Sequence, residues 1–332
     1  MRVAVLSNSF DEFSNKEVEE DLMNTAEQVK DALSSYGHEV GVVDVKRDVF
    51  KRLKRSDFDI AFNVCERYNG SSLLEPYVAA MLELIKMPYT GSGPLTLSTC
   101  IDKIKMKAIL LDNGIKTPRF QIMNSNEKLN LKFPLIVKPS KMDNSIGITT
   151  KSIVNSKEEL KERVKRIRDN YKQPPLVEEF IEGRDIDAGV LGNTNPINLP
   201  LSEIIYADVP GNEKHIFSYE VKWDKGSPYY ETTEYACPTK LNKGTREKIK
   251  KTALDVYKIL GCRDYGRIDI RLSKDNTPYV LELNPNPGIS IDNSIPIAAR
   301  AMGISYDSLI NKILNFAIKR CRLTVKNVKT AY

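Results

Sequence analysis

The chain has 332 residues, enough for two or three domains of ordinary size. Hydrophobic residues make up 41% and charged residues 28%, with 17 Gly and 17 Pro, which excludes fibrous and low-complexity chains. A net charge of +6 is too dilute over this length to argue for nucleic acid, and no apolar run approaches the roughly 18 residues a membrane span needs.

Residues 2–6 are a short apolar run closed by Ser7-Asn8-Ser9, which predicts a first strand rather than a secretory leader. Val18, Leu22, Thr25, Ala26, Val29 and Leu33 recur at helical spacing and predict an amphipathic helix over about 17–36, with Gly37 as its stop. Strands follow at 40–45 and 58–64, then a second amphipathic helix at 73–86. Strands alternating with helices predict a parallel α/β sheet, closed by the breaker cluster Gly91-Ser92-Gly93-Pro94. A helix at about 101–113 comes next, then strands at 119–123, 134–138 and 175–180. Between the last two strands lie a polar loop at 140–147 and a charged helix at about 156–170, whose basic residues alternate with acids and read as a solvated face. From 184 the pattern is α+β: a polar segment at 206–235, a helix at 244–260, a hairpin at 263–284, a C-terminal helix at 306–319 and a polar tail.

Five cysteines, at 65, 100, 237, 262 and 321, are odd in number and widely spaced, with no CxxC. They predict reduced thiols in a cytoplasmic protein. Two histidines, His38 and His215, exclude a multi-histidine metal site. Catalysis here would run on carboxylates, lysines, arginines and backbone groups.

The stretch Gly266 to Asn284 is the most informative. A hairpin symmetric about residues 275 and 276 sets Asp269 opposite Glu282 and Arg267 opposite Asn284. Arg267, Asp269, Arg271, Glu282 and Asn284 then share one face, and Ile268, Ile270, Leu272, Tyr279, Leu281 and Leu283 the other. Two carboxylates directly opposite lie about 4.5–5.5 Å apart at Cβ and repel unless a cation stands between them. Asp269, Glu282 and the Asn284 carbonyl are hard oxygen ligands that suit Mg²⁺. The competing reading is that Arg267 and Arg271 simply neutralise the acids on an exposed face. The rigid turn Pro285-Asn-Pro-Gly288 sets backbone N–H groups beside them.

Gly266-Arg-Ile-Asp269 followed by Leu281-Glu-Leu-Asn-Pro-Asn-Pro-Gly288 resembles the C-terminal end of the ATP-grasp ligases of the D-alanine–D-alanine ligase type. Pro88-Tyr-Thr-Gly-Ser92, Asp102-Lys103, Ile136-Val-Lys-Pro-Ser140 and Val177-Glu-Glu-Phe-Ile-Glu-Gly-Arg-Asp185 agree in order, so the resemblance covers about 1–318. It implies an ATP-grasp fold of the α/β and α+β classes with a Rossmann-like N-terminal domain. The implied division is 1–94, a central subdomain 95–183, a C-terminal subdomain 184–320 and a tail 321–332. It also implies an amide-forming ligase that joins two amino acids through an acyl phosphate, with ATP and two Mg²⁺ ions (Mn²⁺ as an alternative). A homodimer with amino-acid substrates, and no nucleic-acid or membrane partner, belongs to the same expectation, as does a place in peptidoglycan synthesis.

Residue by residue, the resemblance makes Lys103, Lys138 and Lys222 phosphate clamps. Loop 140–149, with Asn144 and Ser145, matches the flap over the phosphates. Glu178, Glu179, Phe180 and Ile181 match the stretch that holds adenine, and Asp185 stands where a ribose-binding Glu is usual. Arg267 and the Gly288 N–H match the oxyanion stabilisers. Glu19, with Glu17 and Glu20 as rivals, aligns with the carboxylate that holds the first ammonium, although the loop Ser7–Glu20 is longer than usual and lacks its Gly-Gly start.

Three positions depart from the family pattern. Asn144 replaces a flap Ser, Trp223 replaces a Tyr, and the Ser pair near the second substrate's carboxylate becomes Asn293 and Ser294. A ligase for a different amino acid or a specialised acceptor, and an ATP-binding regulator without ligation, are the alternatives. The intact set Arg267, Asp269, Glu282, Asn284 and Gly288 argues against the regulator.

Overall fold

The computed structural model of the chain describes residues 1–8, 16–123, 128–206, 216–224, 226–227, 230 and 233–323, without the side chains of 16–21 and 223. Its first sheet carries β1 (Arg2–Ser7), α1 (Lys16–Ser35), β2 (Glu39–Asp44), α2 (Val49–Arg55) and β3 (Ile60–Asn63). The strand order is β2-β1-β3 and every pairing is parallel. Val3 to Leu6 are fully buried, because the middle strand of a sheet covered on both faces meets no water.

Then come α3 (Glu75–Leu84), α4 (Pro94–Ile101) and α5 (Lys103–Asp112). The helix predicted at 101–113 is α5, and α4 is a further helix just before it. The break is Asp102, whose carboxylate accepts from the Lys105 N–H at 3.2 Å and caps α5. Helix α4 escaped the sequence reading because Pro94 reads as a breaker. At the first helical position its missing N–H costs nothing.

The second sheet holds β4 (Phe120–Ile122), β5 (Leu135–Pro139), β6 (Ile153–Val154) and β7 (Pro175–Glu179), ordered β4-β7-β5-β6 and antiparallel. Helix α6 (Lys157–Tyr171) presses Leu160, Val164 and Ile167 onto Leu135, Val137 and Val177. Most of its charged residues stay outside, as its sequence predicts, but Arg163 is buried and donates to the Gly147 carbonyl and to Ser152 Oγ, so it leaves the solvated face.

The third sheet is built from β8 (Gly183–Leu191), β9 (Ile197–Asn198), β10 (Ser202–Tyr206), β11 (Thr233–Ala236), β12 (Tyr265–Ser273) and β13 (Pro278–Asn284). The order is β11-β10-β8-β12-β13, with β9 beside β8. Four helices accompany it: α7 (Tyr219–Trp223), α8 (Lys243–Ile259), α9 (Ser294–Ala301) and α10 (Tyr306–Arg320). Ile249, Ala253 and Val256 of α8 bury Ile186, Ile268, Ile270 and Leu272, and Met106 and Leu110 of α5 join the same core. Helix α10 leaves this sheet and packs on the first one, where Leu309, Ile313 and Leu314 meet Val29, Leu33 and Phe62. One core is thus shared between the two ends of the chain.

The hairpin keeps the expected register at its open end, away from the turn. Arg267 pairs Asn284, Ile268 pairs Leu283 and Asp269 pairs Glu282. The register then shifts, so Ile270 pairs Val280 and Arg271 pairs Tyr279. Leu281 is the extra residue of a β-bulge, which reverses the alternation beyond it. Val280 therefore takes the core position, fully buried, while Leu281 turns with Glu282 toward the cleft described below. The expectation that Tyr279 and Leu281 share the apolar face is corrected on this ground.

Candidate active site

A cleft of about 1110 Å³, mouth included, separates the second and third sheets. Its walls carry Lys138 of β5, residues 178–181, Asp185 and Asp187 of β8, Arg267, Asp269, Ile270 and Arg271 of β12 and Leu281, Glu282 and Asn284 of β13. Loop 142–148, Lys103 and Lys222 close it. A second lobe of about 890 Å³ shares Lys103, Asp143, Asn144, Lys222, Arg267 and Glu282, and runs on toward Glu66, Glu75 and the Pro285–Gly288 turn. Strands and the loops between them supply most of the polar groups, and the helices α5 and α7 add Lys103 and Lys222.

The cations do not stand free. Glu178 is 1% exposed and lies 2.8 Å from Lys138 Nζ and 3.1 Å from Lys107 Nζ. Burial alone would raise its pKa, but the two lysines outweigh that and hold it below the ordinary carboxylate range. Burial drives Lys107 down to about 8 against the pull of Glu178. Lys103 Nζ donates to the Met142 carbonyl at 2.8 Å and pairs with Glu282 at 2.7 Å. Burial would raise Glu282, yet Lys103 and Lys138 bring it to about 2. Both carboxylates are therefore anions at neutral pH, and each is matched to an ammonium.

Arg271 organises the other end. It donates to the Ile181 carbonyl at 2.9 Å, pairs with Asp185 at 2.5 Å, and stacks 5.3 Å from the Phe180 ring. Asp185 also accepts from Tyr206 at 2.5 Å. The Glu179 carboxylate meets Arg119 at 3.2 Å.

Across three adjacent strands the pairing sets Asp187, Asp269 and Glu282 in one row. Arg267 grips Asp269 with two hydrogen bonds, at 2.6 and 2.9 Å, and lies 3.6 Å from Asp187. Asn284 Nδ2 donates to Asp269 at 2.9 Å. Burial is the main cause that lifts Asp187 to about 7, with the negative charge of Asp269 adding to it. Glu282 Oε1 accepts no hydrogen bond among the described residues, which leaves a hard oxygen facing the cleft. That donor set, two opposed carboxylates with an open oxygen and a neighbouring amide, fits a small hard cation.

The loop over the cleft is held from two sides. Asn144 and Ser145 take left-handed φ values of 52° and 58°, and Gly147 one of 79°. Ser145 Oγ donates to the Phe217 carbonyl at 2.8 Å, and Tyr219 N–H donates to the Ile148 carbonyl at 2.9 Å. Asn144 Nδ2 donates to Glu66 at 2.8 Å and its Oδ1 accepts from Lys222 at 2.7 Å. Around the second lobe, a Cβ added to Gly288 would lie 2.7 Å from Asn293 Nδ2 and 3.8 Å from Glu66 Oε1. Ser294, which opens α9, is buried at the same lobe.

The structure thus gathers Lys103, Lys138, Lys222, Arg267, Asp269, Glu282, Asn284, Asn144, Ser145 and residues 178–181 and 185 around the first lobe. Gly288, Asn293 and Ser294 line the second. The side chains of Glu17, Glu19, Glu20 and Trp223 lie outside the described residues, as does His215. His38 is placed far from the cleft's lining, with Nε2 3.2 Å from Asn311 Oδ1. Cys65, Cys100 and Cys262 are buried thiols whose pKa burial raises, so none is a poised nucleophile. Five residues escaped the sequence reading: Glu66, Glu75, Lys107, Asp143 and Asp187. Only Asp187 left a trace, two places after Asp185 on one strand face.

The family described as "D-ala D-ala ligase C-terminus" matches residues 99–315. A D-alanine–D-alanine ligase of Carboxydothermus hydrogenoformans is 34% identical over 309 residues, covering 90% of this chain and 93% of that protein. One from Pelotomaculum thermopropionicum is 31% identical, covering 90% and 92%. The solved structure of D-alanine–D-alanine ligase from Bacillus anthracis complexed with ATP superposes with a TM-score of 0.76 at 26% identity, covering 97% of this chain and 98% of that one. The ATP-grasp architecture expected from the motifs agrees with this likeness, and the chain belongs to the D-alanine–D-alanine ligase family.

Proposed function

We propose that the protein is an ATP-dependent carboxylate–amine ligase that joins two amino acids, making D-alanyl-D-alanine or a close variant. The observation that carries this is the convergence of Lys103, Lys138, Lys222 and Arg267 on one cleft that also holds opposed, open carboxylates. A triphosphate needs such clamps, and a carboxylate is a poor acyl donor until its oxygen is phosphorylated. Asp269, Glu282 and Asn284 would hold Mg²⁺, which neutralises phosphate charge. Lys103, Lys138 and Lys222 take the phosphate oxygens as they develop charge. The Glu179–Ile181 connector, Leu281 and Asp185 frame the nucleoside end. Arg267 and the Gly288 N–H face the lobe in which an amine would attack the activated carbonyl, and they stabilise its oxyanion. Asn144 and Ser145 cap the cleft and keep water from the reactive acyl group.

A second reading within the same chemistry, a ligase for a different amino acid, is favoured by the Glu66–Asn144–Lys222 chain in place of a hydroxyl network. A homodimer is proposed as well: Tyr77, Met81 and Leu84 of α3 are an exposed apolar stripe that a second copy would cover, and sedimentation velocity tests it. Among the described residues no helix is long and apolar enough to cross a membrane. The ligase is tested by phosphate release from Mg-ATP with single and paired D- and L-amino acids, products identified by mass. D-Ala alone yielding the dipeptide establishes D-alanyl-D-alanine synthesis. Release only with another amino acid or amine establishes the variant ligase, and no release with any pair refutes both.

A further inference from the structure

Glu75 is out of place. It opens α3, is only 8% exposed, and lines the second lobe. The only hydrogen bond of its side chain among the described residues comes from Asn286 Nδ2 at 3.1 Å to Oε1, and no described lysine or arginine pairs with it. Carboxylates this buried are ordinarily paired. The charged groups that act on Glu75 are Asp143 and Glu66, both of its own sign, and with burial they raise its pKa well above the ordinary range. Asp143 adds a second signal, for its buried Oδ1 has no partner and Asp143 lines the same lobe. One flank of the lobe is apolar, with Leu97, Cys100 and Ile101 of α4 in the lining alongside Glu75, while Lys103, Lys222 and Arg267 belong to the part shared with the first lobe. An apolar flank beside a carboxylate with no paired cation fits a methylene chain that ends in an ammonium group.

We propose that this lobe is a specificity pocket for an amino acid carrying a second positive charge, a diamino acid, whose side-chain ammonium seats on Glu75 in the field of Glu66. An acidic side chain is repelled there. A short neutral one leaves Glu75 without a counter-charge. Asn286 acts as a positioning residue: its Nδ2 also donates to the Cys65 carbonyl at 2.8 Å and its Oδ1 accepts from Tyr265 at 2.9 Å, so Glu75 is held from a fixed point. The identity of the lobe as an amino-acid site rests on the ligase reading.

The test is calorimetric binding of ornithine and lysine, in both stereochemical forms, against norvaline and norleucine, their neutral counterparts. No turnover is needed, so this result stands apart from the phosphate-release assay on which the ligase reading depends. The proposal expects one diamino acid to bind roughly ten- to a hundredfold tighter than its neutral counterpart. It expects Glu75→Gln, which keeps the shape and removes the charge, to reduce that ratio to within about twofold. Equal binding of charged and neutral forms, failure of every diamino acid to bind, or a preference that survives Glu75→Gln overturns it. The comparison within the wild-type protein decides the matter even if the variant does not fold.

Discussion

Replacing Glu178 by Gln removes a charge from the most buried ion cluster among the described residues without changing its volume. Lys107 is 0% exposed and Lys138 only 8%, and both ammonium groups lie within 3.1 Å of the carboxylate. Breaking a buried pair by deleting one partner costs about 3–5 kcal/mol, because the other charge stays behind. Part of that penalty has a pH signature. With Glu178 present, Lys107 titrates at about 8, so at pH 7 its proton sits one unit inside the protonated range. One unit is worth about 1.4 kcal/mol. Without Glu178 the desolvated lysine is lowered further, and that stabilisation is lost. A lysine with a depressed folded pKa binds fewer protons folded than unfolded, so its share of stability rises with pH between the folded value and 10.5. In the variant that rise begins lower, and by about pH 9 Lys107 is neutral in both proteins. The penalty of Glu178→Gln measured by urea denaturation is therefore expected to shrink by about 1–1.5 kcal/mol from pH 7 to pH 9. A penalty below about 1 kcal/mol, or one equal at both pH values, refutes the assignment of Glu178 as the counter-charge of Lys107.

Asp269→Ala and Glu282→Ala are each expected to abolish phosphate release from Mg-ATP, and unchanged turnover in either removes that residue from the cation site. Glu282, held at about 2 by Lys103 and Lys138 against 4.5 for an ordinary Glu, stabilises the fold above about pH 4.5 and loses that contribution as the pH falls through about 2. Thermal melts from pH 5 to pH 3 should therefore fall more steeply in the wild type than in Glu282→Gln, and parallel curves count against the Lys103–Glu282 pair. Gly147→Ala puts a methyl 2.7 Å from Pro139 Cγ and 3.0 Å from the Tyr171 ring, at a φ of 79°. A local strain of about 1–3 kcal/mol moves the loop that carries Asn144 and Ser145, so KM for ATP rises several-fold. An unaltered KM with lowered melting temperature would separate this loop from nucleotide binding.

The sequence exposed the hairpin because its chemistry is local. Asp269 and Glu282 are thirteen residues apart, the turn between them is short, and alternation alone sets both on one face. The same alternation misplaced Leu281, since a bulge leaves no mark in a run of apolar and acidic residues. Helix α4 was hidden by a proline that begins it. The contact of α10 with α1 joins residues some 280 positions apart and has no local signature. Glu66, Glu75 and Lys107 were illegible for the same reason: a Glu at a strand end or helix start looks solvated until another element buries it. Arg67, also buried and with one guanidinium nitrogen lacking a partner, belongs to this class, and its charge acts on Glu66 and Asp143.

The bulge explains how one hairpin serves two lobes. In regular pairing Leu281 would have faced the core and left the first lobe without an apolar wall on β13. The shift begins immediately beyond the Asp269–Glu282 pair, so the register of that pair is untouched. Past it, Leu281 and Glu282 both face the cleft, one apolar and one anionic. The local twist that a bulge adds also swings the end of β13 away from the straight course of β12. There the rigid Pro285–Gly288 turn carries Asn286 to Glu75 and sets Gly288 beside Asn293. On the proposed function, nucleotide wall, cation site and amino-acid lobe follow one another along eight consecutive residues, Leu281 to Gly288. On that reading, this stretch brings carboxylate, phosphate and amine into one place because its backbone departs from a regular strand at one point.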